Sequence, residues 1–189
     1  MAALEKIPEV LTPEDQAALL GQPNRRCPSG ERNHALLRLA LDGGLRSAEL
    51  VALRWSSIDL ETGRVKIVQG KGRKDRNIWI GALTIAALEA WRTRQRADTP
   101  WVFSTMTGGQ LDPRYLRQMV KRYAIRAGLG SWVHPHTLRH TFATDLYRQT
   151  KDLRLVQRAL GHSSISTTQV YTHIVDSELE EAMKGLRER

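Results

Sequence analysis

"IDLETGRVKIVQGKGRKDRNIWI" (residues 58–80) interrupts a chain that otherwise reads as helix. It has short alternating runs, β-branched residues and glycine punctuation, the pattern of strands joined by tight turns. "TG" (62–63) and "GKGRKD" (70–75) read as the two turns of a three-stranded antiparallel sheet. The segments on both sides have a helical period. The expected fold class is therefore mainly α with a small three-stranded antiparallel sheet (α+β).

Upstream, "LTPEDQAALL" (11–20) opens a helix. Thr12 can cap it, Pro13 suits its first turn, and Glu14 and Asp15 suit its positive end. "ERNHALLRLALDGG" (31–44) has the apolar spacing of a buried helix and stops at paired glycines; "RSAELVALRW" (46–55) reads as a further short helix. Downstream, helices resume with "LTIAALEAWRTRQRA" (83–97). After "PWVFSTMTGGQL" (100–111), a loop with one short extended run, "DPRYLRQMVKRYAIRAG" (112–128) is amphipathic. Leu116, Met119, Val120, Tyr123 and Ala127 cover one side and the basic residues the other. "HPHTLRHTFATDLYRQT" (134–150), "DLRLVQRALG" (152–161) and "DSELEEAMKGLRER" (176–189) follow as helices. No repeat, low-complexity tract or linker divides the chain, so a single domain over 1–189 is expected.

Composition narrows the function. The 189 residues are 41% hydrophobic, ordinary for a globular protein. No apolar run is long enough to span a bilayer, and "MAALEKIPEVLTPEDQ" lacks a secretory pattern. The single cysteine, Cys27, excludes an internal disulfide framework and fits a reducing, cytoplasmic setting. Lys and Arg number 29 against 20 Asp and Glu, a net charge of +9 that favours a polyanionic partner. The positive charge is segregated. Residues 63–76 hold Arg64, Lys66, Lys71, Arg73, Lys74 and Arg76 against one acid, Asp75, and residues 113–128 hold Arg114, Arg117, Lys121, Arg122 and Arg126 against none. A basic face follows.

Five places are candidates for chemistry. "GGLRSAEL" puts Arg46 at a helix start and Glu49 one turn on. It reads as an anion site after glycines, or as a surface Arg–Glu pair of little worth. "GKGRKDR" holds Lys71 between glycines, in a turn that can approach a ligand closely or simply in a solvated hairpin tip. "HPHTLRH" places His136, Arg139 and His140 on one helix flank. It joins a permanently charged fork suited to phosphate with a proton that moves near neutral pH. "ALGHSSIS" sets His162 just past a helix-ending glycine, and "QVYTHIV" carries Tyr171. Read alone, those two are a polar cap and a core tyrosine.

Together the five suit one task. A phosphodiester resists nucleophiles because its charge repels them. Arg46 and Arg139 can neutralise its non-bridging oxygens and the added charge of a pentacoordinate transition state. A tyrosine can attack and store the bond energy as a phosphotyrosine. A lysine or histidine can protonate the departing 5′ oxygen. No cluster has metal-ligand spacing, and two guanidiniums make a metal unnecessary.

The blocks "GGLRSAEL", "VQGKGRKDR", "HPHTLRHTFAT" and "LVQRALGHSSISTTQVYTH", in that order over roughly residues 10–185, resemble the catalytic domain of the tyrosine recombinases, or phage integrase family. The resemblance implies that Arg46 and Arg139 clamp the phosphate, that Lys71 is the general acid, and that His136 transfers a proton. It implies that His162 hydrogen-bonds the scissile phosphate, that Tyr171 is the nucleophile and that Glu49 orients the site. His134 and His140 fall outside this set, with local structural roles. The implied activity is site-specific cleavage and rejoining of double-stranded DNA through a 3′-phosphotyrosyl intermediate, without metal or nucleotide cofactor. Arg73, Lys74, Arg114, Arg117 and Lys121 are expected to contact DNA, the three on the 113–128 helix through backbone phosphates.

The implied assembly on DNA is a homotetramer joined through the C-terminal helix, where Val175, Leu179, Met183 and Leu186 form an apolar stripe. That stripe can equally fold onto its own chain, leaving a monomer without DNA. The family's N-terminal DNA-clamping domain is expected to be absent from these residues. Two other readings carry their own signatures. A type IB topoisomerase would relax DNA without site preference, and an inactive architectural homologue would bind without nicking.

Overall fold

The computed structural model describes residues 9–68 and 75–161, together with Met183. In chain order these form α1 (Pro13–Leu20), α2 (Pro28–Gly43), α3 (Ser47–Val51), a short 3-10 turn (Trp55–Ser57), β1 (Ile58–Asp59), β2 (Arg64–Ile67), β3 (Arg76–Trp79), α4 (Ala82–Arg92), α5 (Pro113–Arg126), α6 (Pro135–Thr150) and α7 (Leu153–Leu160). The mainly helical fold with one small sheet is as expected. The strands lie in the order β1-β2-β3, both pairs antiparallel, and the turn at Thr62–Gly63 joins the first two. Of the expected "GKGRKD" turn, residues 70–74 lie outside the described residues, as do "SISTTQVYT" and the final helix apart from Met183, which is helical and exposed.

Local signals place most helix ends. Thr12 Oγ1 accepts from the Asp15 amide at 3.2 Å, while the Asp15 carboxylate accepts from the Thr12 amide at 3.1 Å, a reciprocal cap. Asp112 and Asp152 cap α5 and α7 by a single bond each, accepting from the Arg114 and Leu155 amides. α2 begins at Pro28, earlier than expected, because proline suits a first turn, and it ends at Gly44 with φ 59°. A side chain is excluded there twice over: the backbone is left-handed, and a Cβ would sit 2.2 Å from the Phe142 ring.

The expected helix over 46–55 is cut short at Val51. Leu53 and Trp55 pair instead with the extended run at 100–102: the Val102 amide donates to Leu53 O at 2.9 Å and the Trp55 amide to Pro100 O at 3.0 Å. This tertiary pairing outweighs the helical preference of "ALRW". α4 ends at Arg92, short of the expected 97.

α2 is buried nearly all round and packs against α4 and α6. The core gathers Leu36, Leu37 and Leu39 of α2, Val65, Ile67 and Ile78 of the sheet, Leu88 and Trp91 of α4, and Leu116, Met119 and Val120 of α5. On α5 the buried stripe runs as expected, except that Ala124 rather than Ala127 closes it. α7 packs on α6 through a second small cluster, Ala143, Tyr147, Val156 and Leu160, and also lies against β3. The C-terminal end of α7 thereby meets α3, β3 and α6.

Candidate active site

The end of α7 is where the site assembles. The last carbonyls of an α-helix have no partner within it. Here three successive ones are each taken by an arginine from a different element. Arg76 Nε of β3 donates to Ala159 O at 2.8 Å, Arg139 Nη2 of α6 to Leu160 O at 2.7 Å, and Arg46 Nη2 beside α3 to Gly161 O at 3.4 Å. Guanidiniums also suit the negative end of the helix dipole. Gly161 turns the chain with φ 64° and leads into His162.

Arg46 caps α3. Its amide donates to Glu49 Oε2 at 2.8 Å and its Nη1 to Glu49 Oε1 at 2.9 Å. The expected open anion site at this helix start is thus corrected in part: Glu49 takes the Arg46 amide. Arg76 grips the same carboxylate bidentately, Nη1 to Oε1 and Nη2 to Oε2, both at 2.8 Å. Burial alone would raise the Glu49 pKa, but Arg76 and Arg46 outweigh it and hold the group down at about 2. The Arg46–Glu49 contact is therefore no stray surface pair.

Arg139 is buried, with 6% of its surface exposed. Its Nη1 donates to Gly44 O, two residues before Arg46. One guanidinium thus fastens both the loop that carries Arg46 and the end of α7. Arg46 keeps 27% of its side chain exposed and so faces solvent at the rim.

The three histidines of this stretch stand in different surroundings. His134 caps α6, its Nδ1 accepting from the Thr137 amide at 3.2 Å. His136 stands exposed two residues on, its ring 6.1 Å from that of His134. Crowding by the protein, then the charges of His134, Arg139 and Arg46, push its pKa below the ordinary histidine value. His140 is shifted the same way, chiefly by burial, and its buried Nδ1 has no hydrogen-bond partner.

The structure brings Arg46, Glu49 and Arg139 together at this helix end, with His136 near enough to feel the charges of Arg139 and Arg46. Lys71, His162 and Tyr171, and the DNA-contact candidates Arg73 and Lys74, lie outside the described residues. Arg114, Arg117 and Lys121 are exposed along α5, away from the apolar stripe. Sequence reasoning missed Arg76, which it counted as part of the basic face. Strand alternation was the signal available: Arg76 shares a face with Ile78, and it pairs with Ile67. Its side chain is 7% exposed, buried against Glu49 rather than displayed. Among the described residues no group of His, Cys, Asp or Glu is placed to hold a metal ion, and no helix is long and apolar enough to cross a membrane.

Residues 9–178 match the model of the phage integrase family. The tyrosine recombinase XerC of Xanthomonas axonopodis pv. citri (strain 306) is 42% identical over 173 residues, covering 91% of this chain and 56% of the relative. That of Oceanobacillus iheyensis is 39% identical over 184 residues, covering 93% and 60%. The chain thus spans little more than half the length of these curated relatives. Among solved structures, the XerA recombinase is similar with a TM-score of 0.82 and 32% identity, over 97% of this chain and 67% of that one. The XerH site-specific recombinase bound to a palindromic difH substrate, a post-cleavage complex, gives a TM-score of 0.81 and 33% identity, over 97% and 54%.

Proposed function

This chain belongs to the phage integrase family, and we propose that it is the strand-transferase domain of a site-specific DNA recombinase. Arg46 and Arg139 hold the scissile phosphate between them and stabilise the charge that grows on its oxygens. The Tyr171 phenol loses its proton and attacks phosphorus, forming a 3′-phosphotyrosyl bond. The bond to the 5′ oxygen breaks, and Lys71 protonates the leaving group. A 5′-hydroxyl from a second strand reverses the step and rejoins the DNA. His136, neutral at pH 7, takes up the proton that Tyr171 gives up, and His162 hydrogen-bonds the scissile phosphate. Double-stranded DNA is the partner, held in part by Arg73, Lys74, Arg114, Arg117 and Lys121. A tetramer on paired sites, joined through the C-terminal helix, exchanges the strands.

The observation that carries this reading is the meeting of Arg46 and Arg139 at the end of α7, directly before His162 in the chain. The helix end alone would attract guanidiniums, but the two that meet there are the two that the family resemblance assigns to the phosphate. The relatives named above are recombinases, which supports the same reading.

The test uses nicked duplexes from a pool with randomised arms, which trap a covalent intermediate because the short cleaved strand diffuses away. Wild-type protein is expected to yield a denaturant-resistant DNA adduct, and Tyr171→Phe none. An adduct that survives Tyr171→Phe, or none from wild type on any sequence, overturns the reading.

A further inference from the structure

Arg76 is a charge where the strand pattern calls for an apolar side chain. It lies on the inward row of β3 with Ile78, opposite Ile67 of β2. Burying a guanidinium there costs solvation, and a hydrophobic residue of similar volume often serves a core equally well. Its three contacts indicate what the charge is for. The fork holds both Glu49 oxygens at 2.8 Å, and Nε holds Ala159 O at 2.8 Å. Glu49 in turn binds Arg46 through its amide and its Nη1, and Arg46 reaches Gly161 O. The circuit closes: Ala159 to Arg76 to Glu49 to Arg46 to Gly161. It crosses β3, α3 and α7, and each link is a hydrogen bond to a charged group, the stronger kind.

Resting on the recombinase reading above, we infer that Arg76 is a positioning residue, which sets the Arg46 guanidinium and the end of α7 in register by holding Glu49 and Ala159 at once. The planar fork matters as much as the charge. Lysine offers one compact ammonium and cannot span two carboxylate oxygens and a carbonyl in this fixed geometry. A role confined to neutralising Glu49 would be met by lysine; the positioning role would not.

The experiment compares Arg76→Lys and Arg76→Gln with wild type in two measurements, each below the melting point of every variant. The first is adduct formation at saturating nicked duplex, with affinity measured separately by fluorescence anisotropy. Both variants are expected to cleave at least about tenfold more slowly, with affinity within about threefold of wild type, because ground-state binding is spared while transition-state contacts are lost. The second is amide hydrogen exchange without DNA. Exchange at Leu160, Gly161 and Glu49 is expected to rise about tenfold as the local circuit opens.

Arg76→Lys cleaving at the wild-type rate overturns the proposal, and so does unchanged exchange in both variants. If neither variant folds, Arg76 belongs to the core rather than to the site, which also overturns it. If wild type itself forms no adduct, the recombinase reading fails separately, and hydrogen exchange alone then decides whether Arg76 sets this circuit.

Discussion

Arg46 and Arg139 donate to adjacent peptide carbonyls, those of Gly161 and Leu160, at 3.4 and 2.7 Å. One residue lies beside a five-residue helix and the other within a sixteen-residue one, so the end of α7 is the common point that brings them together. The two do not share the structural load equally. Arg139 is buried and serves two carbonyls from different elements, whereas Arg46 sits at the rim.

Arg139→Ala is therefore expected to destabilise the protein by about 2–4 kcal/mol, since it leaves two buried acceptors without a donor. Arg46→Ala is expected to cost about 1 kcal/mol, because water reaches the vacated position. Urea unfolding followed by circular dichroism measures both. Equal costs would contradict the division of roles.

Gly44→Ala is expected to lose about 1–3 kcal/mol and to slow adduct formation, for a left-handed residue that also meets a packed ring. The structural grounds are the φ of 59° and the 2.2 Å approach to Phe142. Gly44 also presents the carbonyl that Arg139 holds, so a shift here moves the loop leading to Arg46. Thermal melts and single-turnover cleavage together check this.

Acid weakens the fold in two stages. His136 and His140 have pKa values lowered by the protein crowding their rings and by positive neighbours, so the folded state takes up protons less readily than the unfolded chain. Stability is then full above the ordinary histidine value of 6.5 and falls as pH drops through the lowered ones. Glu49 acts lower: its contribution is complete above the ordinary 4.5 and is lost as pH falls toward about 2. Melting temperature against pH is expected to show a smaller first stage in His136→Asn/His140→Asn, with the share of half-buried His34 remaining, and a smaller second stage in Glu49→Gln.

Reversing Arg114, Arg117 and Lys121 to Glu is expected to weaken binding to all duplexes alike. Each phosphate contact contributes about 0.9 to the slope of log affinity against log salt, so losing three flattens it by about 3. Stability should hardly change, since these side chains are exposed on α5. Anisotropy titrations across salt concentrations decide it. An effect confined to one sequence would contradict a backbone-contact role.

Much of this was legible in the sequence, and the exceptions have physical causes. Alternation and turn residues marked the sheet, and Thr12 with Pro13 marked the start of α1, because these signals are local. The end of α3 was not legible. Leu53 and Trp55 pair with residues 100–102, and no local pattern announces a partner that far away. Arg46, Glu49, His136 and Arg139 were legible as a chemical set. Arg76 was hidden within a run of surface cations, although its alternation with Ile78 was the signal of its inward place, which the pairing with Ile67 bears out.

The central claim is that Arg46 and Arg139 act on the charge of one phosphate, and neutralising that phosphate tests it most directly. Adduct formation is measured for wild type, Arg46→Ala and Arg139→Ala on two nicked duplexes, one carrying the natural phosphodiester and one a methylphosphonate at the cleavage position. The account predicts that each variant is inactive on the phosphodiester and regains cleavage on the neutral linkage, where one charge less needs a partner. Variants that cleave the phosphodiester at the wild-type rate, or that stay inactive on both while folded and bound to DNA, would contradict it.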